Sequence, residues 1–217
     1  MEKAKAVRSL YDDDTMNPYD SAGTGPEFRQ SPLQPVPVPG PQELHDAMRT
    51  LWEQHVFWTR LVILGIVSDL PDLTASTERL LRNPADFGGI LRIYYGEPAT
   101  SQFVRLFTDH LQIAAQLVKA AKAGDTRAAE AAERSWYQNA DQIARFLGSI
   151  NPYWSEQQWR AMLHEHLALT KAEAVALLTR KYPESVRLFD EIERQALMMA
   201  DMMTQGIIRQ FYHRPGQ

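Results

Sequence analysis

The chain has 217 residues, a length that suits one domain plus a tail, and its 23 basic against 27 acidic residues give a formal charge of −4. That balance carries no basic footprint for a phosphate backbone, so no nucleic-acid partner is expected. The absence of cysteine removes disulfide scaffolds, thiolate metal sites and cysteine nucleophiles, leaving His, Asp, Glu and Met as possible ligands.

Seven of the 13 prolines fall within residues 1–41, ending in the run from Pro32 to Pro41. Proline so closely spaced denies both helix and central strand. Residues 1–41 are therefore expected to be a disordered proline-rich tail, and residues 42–213 a helical bundle domain. The tail's alternating prolines offer polyproline geometry to a protein partner. The longest apolar stretch, Val62 to Val67, is far short of the ~20 residues of a membrane helix. The first residues lack the apolar centre of a secretory signal. Together these lead to an expectation of a cytoplasmic protein with no membrane partner.

From Gln42 onward apolar residues recur at intervals of three and four, with no strict alternation, which predicts an all-α fold. The first helix runs from about Gln42 to Ser68. A short helix near Leu73 to Arg82 follows, and the segment Asn83 to Gly89, with its proline and glycine pair, reads as a loop. The next helix opens with Pro98 in its first turn, where a missing N–H costs least, and ends at Gly124. Asp125 caps the following one, to about Ile150. Ser155 to Gln158 forms a capping box opening another helix, with a possible break at a second box beginning at Thr170. The last helix runs from Pro183 to about Phe211. Short connections between long helices favour an antiparallel bundle of four or five helices. No internal repeat stands out.

The apolar stripes carry polar residues at their centres. At 100° per residue, His55 sits among Leu51, Trp52, Trp58 and Val62, His110 among Phe103, Leu106, Phe107 and Leu117, and His166 among Trp159, Met162, Leu163 and Leu169. Asn139 lies beside Trp136, Ile143 and Phe146. On the last helix Glu193 and Gln195 flank the stripe, and either could turn inward. The three histidines are near the midpoints of their helices, so an antiparallel arrangement puts them in one layer, with Glu193 about one turn away. Three neutral imidazoles and a carboxylate suit a divalent first-row ion such as Fe, Mn or Zn, and bundle cores are where such sites are built. His55, His110, His166 and Glu193 are the candidate metal ligands, and Asn139 a candidate cofactor- or ligand-binding group in the bundle core. The alternative is a non-enzymatic structural or partner-binding bundle in which these groups form a satisfied polar layer. His45, His164 and His213 are expected at the surface, and the methionines near Met199 as core filler.

The segments Leu51 to Arg60, Asn139 to Ala144, Ile150 to Trp154 and Gln195 to Met202 resemble those of an uncharacterised all-helical family of Bacillus-type bacteria, often automatically labelled acetylglutamate kinase. The resemblance covers residues 42–211. Acetylglutamate kinases proper have an α/β fold with glycine-rich loops around ATP, which this chain lacks, so that activity is not expected. The architecture is also distantly similar to ferritin-like and hemerythrin-like bundles, without their ExxH or HxxxE ligand spacing.

Overall fold

The computed structural model describes residues 38–212, which form five helices and, among the described residues, no strand. They are α1 (Pro41–Ser68), α2 (Leu73–Lys122), α3 (Thr126–Ile150), α4 (Glu156–Leu178) and α5 (Tyr182–Phe211). The expected tail to residue 37 and His213 lie outside the described residues. None of the described helices is long and apolar enough to cross a membrane. Asp125 and Ser155 cap α3 and α4 as their sequences require, accepting from the backbone N–H of Ala128 and Gln158. The capping box at Thr170 does not act as one. Thr170 is buried in the middle of an unbroken α4, because Leu167, Ala174 and Leu177 bury the stripe on both sides of it.

The segment Asn83 to Gly89, expected as a loop, is helical. Proline and glycine inside a helix cost about 3 and 1 kcal/mol in isolation. Here the cost is offset by burial of Leu80, Phe87 and Leu91, and by Asn83, which donates from Nδ2 to the Leu51 carbonyl of α1 at 3.0 Å. Gly88 also has a packing role: a Cβ there would lie 2.9 Å from Val104 and 3.2 Å from Thr100.

That contact brings the two halves of α2 against each other. Gly96, at φ 72° and ψ 179°, breaks the helix, and the chain folds back so that Leu73 near its start and Lys122 at its end line the same surface pocket. Only glycine adopts that backbone conformation at little cost. The bundle is thus built of six helical segments, with α2 divided into α2a (73–95) and α2b (97–122). Around it, α1 packs on α2 and α5, α2 on α3, α3 on α4, and α4 on α5. Arg49 near the start of α1 pairs with Asp201 toward the end of α5, whereas Arg60 meets Ser185 at the start of α5, so α1 and α5 are antiparallel.

The six segments form three hairpins in one register, a repeat that the sequence pattern alone did not disclose. His55, His110 and His166 stand 55 and 56 residues apart. Fourteen residues after each histidine the first helix of its hairpin has ended in a left-handed residue, Asp69, Gly124 or Arg180. In the second helices the same core places are held by Leu80, Phe87 and Leu91, by Trp136, Ile143 and Leu147, and by Ile192, Met199 and Met203. Between them small or ring-closed residues recur, Pro84 and Gly88, Ala140 and Ala144, Ala196 and Ala200, where the helices approach closely.

Candidate functional site

Each hairpin buries one histidine, with His55, His110 and His166 only 2%, 2% and 3% exposed. Each histidine has an amide facing it from the second helix of its own hairpin. His110 Nδ1 lies 2.9 Å from Asn139 Oδ1, and Asn139 Nδ2 donates to the Leu106 carbonyl at 2.9 Å. His166 Nδ1 lies 3.0 Å from Gln195 Oε1, and Gln195 Nε2 donates to the Met162 carbonyl. In both, the carbonyl belongs to the residue one turn before the histidine. Because the amide NH2 is committed to a carbonyl, its oxygen must accept, so the proton of each neutral ring is on Nδ1 and the lone pair on Nε2.

The first hairpin has the same parts with one contact left open. Asn83 donates to the Leu51 carbonyl, again one turn before the histidine, but His55 Nδ1 and Asn83 Oδ1 are both buried without a partner. Asn83 is still near enough to favour the charged form of His55.

The three rings occupy one layer of the core. Ring centres are 5.8 Å apart for His55 and His166 and 6.5 Å for His55 and His110. Phe107 stacks on His55 at 4.9 Å and on His110 at 6.0 Å, Trp52 stands edge-on to His55 at 5.7 Å, and Trp136 lies 5.4 Å from His110. Burial in these apolar surroundings, reinforced by the imidazoles' mutual repulsion, holds His55 well below the ordinary histidine range. The same causes bring His110 to about 3, and burial brings His166 to about 4. All three rings are neutral at physiological pH. They are poor proton carriers there, but neutral Nε2 atoms are good ligands.

Of the two polar residues flanking the α5 stripe, Gln195 is the one turned inward, while Glu193 stays half-buried with no hydrogen bond or ion pair to the histidines. No group of three or more His, Asp and Glu among the described residues stands close enough to hold an ion as placed. Asn139 occupies the core position expected of it, but as the partner of His110. His45 and His164 are half-exposed and face Asp46 and Asp201, and Asp141, respectively. Met199 and Met203 are fully buried and Met198 is exposed, so these methionines do not converge.

Among the described residues the core also buries a carboxyl group. Glu173 on α4, 1% exposed, pairs with Arg60 of α1, whose guanidinium also donates to the Ser185 carbonyl and lies 4.9 Å over the Phe189 ring. Burial outweighs the arginine and pushes Glu173 up to about 7. Asn83 and the pairing of Gln195 with His166 escape sequence reasoning, which named Gln195 only as one of two residues able to turn inward, although an amide 28 or 29 residues after each stripe-centred histidine is a signal that could have found them. No family model matches the chain, and no curated protein or solved structure matches it either.

Proposed function

We propose that this bundle binds one divalent first-row metal ion, iron, manganese or zinc, in its histidine layer. The observation that carries the reading is the layer of three neutral imidazoles, two of which turn Nδ1 to an amide and so keep the lone pair on Nε2, with no hydrogen bond to the Nε2 of any of the three among the described residues. A cation would give these Nε2 lone pairs the partner that no donor supplies. Holding the far nitrogen of a ligating histidine with a hydrogen bond is also how metal sites orient their rings. Coordination at ~2.1 Å requires the rings to draw closer than they stand. Glu193 lies off this donor set, so the remaining coordination positions fall to water or to a substrate oxygen. An open site of that kind supports hydrolysis or oxidation.

Metal analysis of untagged protein from metal-supplemented growth tests the reading. About one equivalent of a single metal is expected, falling sharply in His110→Phe and His166→Phe. Sub-stoichiometric Fe, Mn, Zn, Cu, Ni and Co in the wild type would overturn it.

A second reading, a structural polar layer in a partner-binding bundle, is favoured by the closed amide contacts at His110 and His166, which tie each hairpin together without any ligand. In that reading the proline-rich segment 33–41 recruits a protein partner, and deleting residues 1–40 abolishes its binding to a polyproline-recognising domain.

A further inference from the structure

The three hairpins carry one device, and in the first it is half made. Asn139 and Gln195 each use both ends of the amide, donating to the carbonyl one turn before the histidine and accepting from its Nδ1. Asn83 donates to the Leu51 carbonyl at 3.0 Å in the same way. Its Oδ1 and His55 Nδ1, an acceptor and a ring nitrogen able to donate, are both sealed in the core with no partner. Bulk solvent does not compensate them, since Asn83 is 0% and His55 2% exposed. Leaving such a pair unmade costs free energy that closing the contact recovers. The His55 ring instead takes its position from aromatic neighbours, stacked on Phe107 of the next hairpin at 4.9 Å and edge-on to Trp52 at 5.7 Å.

This difference bears on the histidine layer. No hydrogen bond sets the tautomer of His55, whereas the committed amides at His110 and His166 place the proton on Nδ1 and leave the Nε2 lone pair free. As placed, the three rings do not converge on an ion. His110 and His166 are held by closed clasps, so the ring with room to adjust is His55, whose centre lies 5.8 Å from His166 and 6.5 Å from His110. We propose that Asn83 is the positioning residue of the layer: when a divalent cation enters, His55 Nδ1–H closes on Asn83 Oδ1, completing the third clasp and committing Nε2 to the metal. The other two hairpins already hold the closed form of this contact, so the change needs no geometry foreign to the fold. A hydrogen bond at the far ring nitrogen fixes the ring and raises its basicity as a ligand. The ring stays neutral throughout: a proton on Nε2 moves to Nδ1 and none is released. The inference rests on the metal reading, and its test tells the two apart.

Zinc(II) titration of the chelator-treated full chain, with nitrogen-15 in its histidines, provides the test. Long-range proton–nitrogen correlations read each ring's tautomer, and chelator competition reads the affinity. Before zinc, His110 and His166 should carry the proton on Nδ1 and His55 should show both tautomers. With zinc bound, His55 should convert to the Nδ1–H form with a shifted Nε2. Asn83→Leu should weaken zinc about ten- to a hundredfold and leave the tautomers of His110 and His166 unchanged. Asn83→Asp, whose buried carboxyl is protonated and so keeps both a donor and an acceptor, should stay within about threefold of the wild type. A merely structural Asn83 would lower stability without coupling the His55 tautomer to zinc. If Asn83→Leu fails to fold, the wild-type His55 spectrum and the affinity of Asn83→Asp carry the test. Wild-type zinc affinity in Asn83→Leu, or a His55 tautomer that zinc leaves unchanged, overturns the inference and leaves the metal reading standing. A wild type that binds no zinc overturns the inference, and the metal reading with it if iron(II) and manganese(II) fail as well.

Discussion

His110 donates from Nδ1 to Asn139 Oδ1 at 2.9 Å while Asn139 returns its NH2 to the carbonyl of Leu106, one turn before His110 on the same helix. The two bonds close a clasp between α2b and α3. Removing one member strands the other in an apolar layer. Asn139→Leu should therefore destabilise the bundle by about 1–3 kcal/mol, and His110→Phe combined with Asn139→Leu by less than the sum of the single changes. Urea denaturation of the four proteins of this cycle measures the coupling, and additive effects would show that the clasp contributes nothing.

Stability should fall on acidification. The histidine protons are bound near pH 6.5 in the unfolded chain but only near about 3 for His110 and 4 for His166 in the folded one. Their contribution is therefore complete above pH 6.5 and is lost as pH falls toward those values. Each histidine can contribute a slope of up to about 1.4 kcal/mol per pH unit in that window. Urea midpoints between pH 7 and 4.5 should drop steeply for the wild type and less for His166→Gln. A flat wild-type profile contradicts burial of neutral rings.

Glu173 acts in the opposite sense. Its folded pKa is raised to about 7, so its contribution is present at low pH and is lost as pH rises through 7. Arg60→Leu leaves this carboxyl buried and unpaired. The substitution should cost up to about 3–5 kcal/mol at pH 8, where the wild-type carboxyl is charged and paired with Arg60, and distinctly less at pH 6, where it already holds a proton. Thermal or urea unfolding of the single variant at the two pH values reads the difference, and Arg60→Leu with Glu173→Leu should be milder than Arg60→Leu alone.

Two glycines are required for reasons the backbone makes plain. Gly96→Ala forces a side chain onto the φ of 72° at which α2 reverses, for a loss of about 1–3 kcal/mol. Gly206→Ala would place a Cβ 1.9 Å from Trp154 Nε1, whose indole donates to the Met203 carbonyl, so the buried Trp154 must leave its seat. Loss of near-ultraviolet circular dichroism together with a lower melting temperature is expected for Gly206→Ala, and an unchanged spectrum would contradict that seating of Trp154.

The all-α class, the ends of α1, α3 and α5, and the inward placement of His55, His110 and His166 were legible in the chain itself. They rest on local quantities, the 3.6-residue period of apolar side chains and the caps at Asp125 and Ser155, which act within one or two turns. What lay between Leu73 and Pro98 was decided by packing: Phe87 and Leu91 gain enough burial, and Asn83 a carbonyl on α1, to keep Pro84 and Gly88 helical, and the reversal falls at Gly96 alone. Tertiary structure likewise chose Gln195 over Glu193 for the core, because only an amide can accept from His166 and donate to the Met162 carbonyl at once. Those partners are 29 and 33 residues distant along the chain, beyond the reach of any local pattern. They meet only because each pair of helices folds back on itself in the same register.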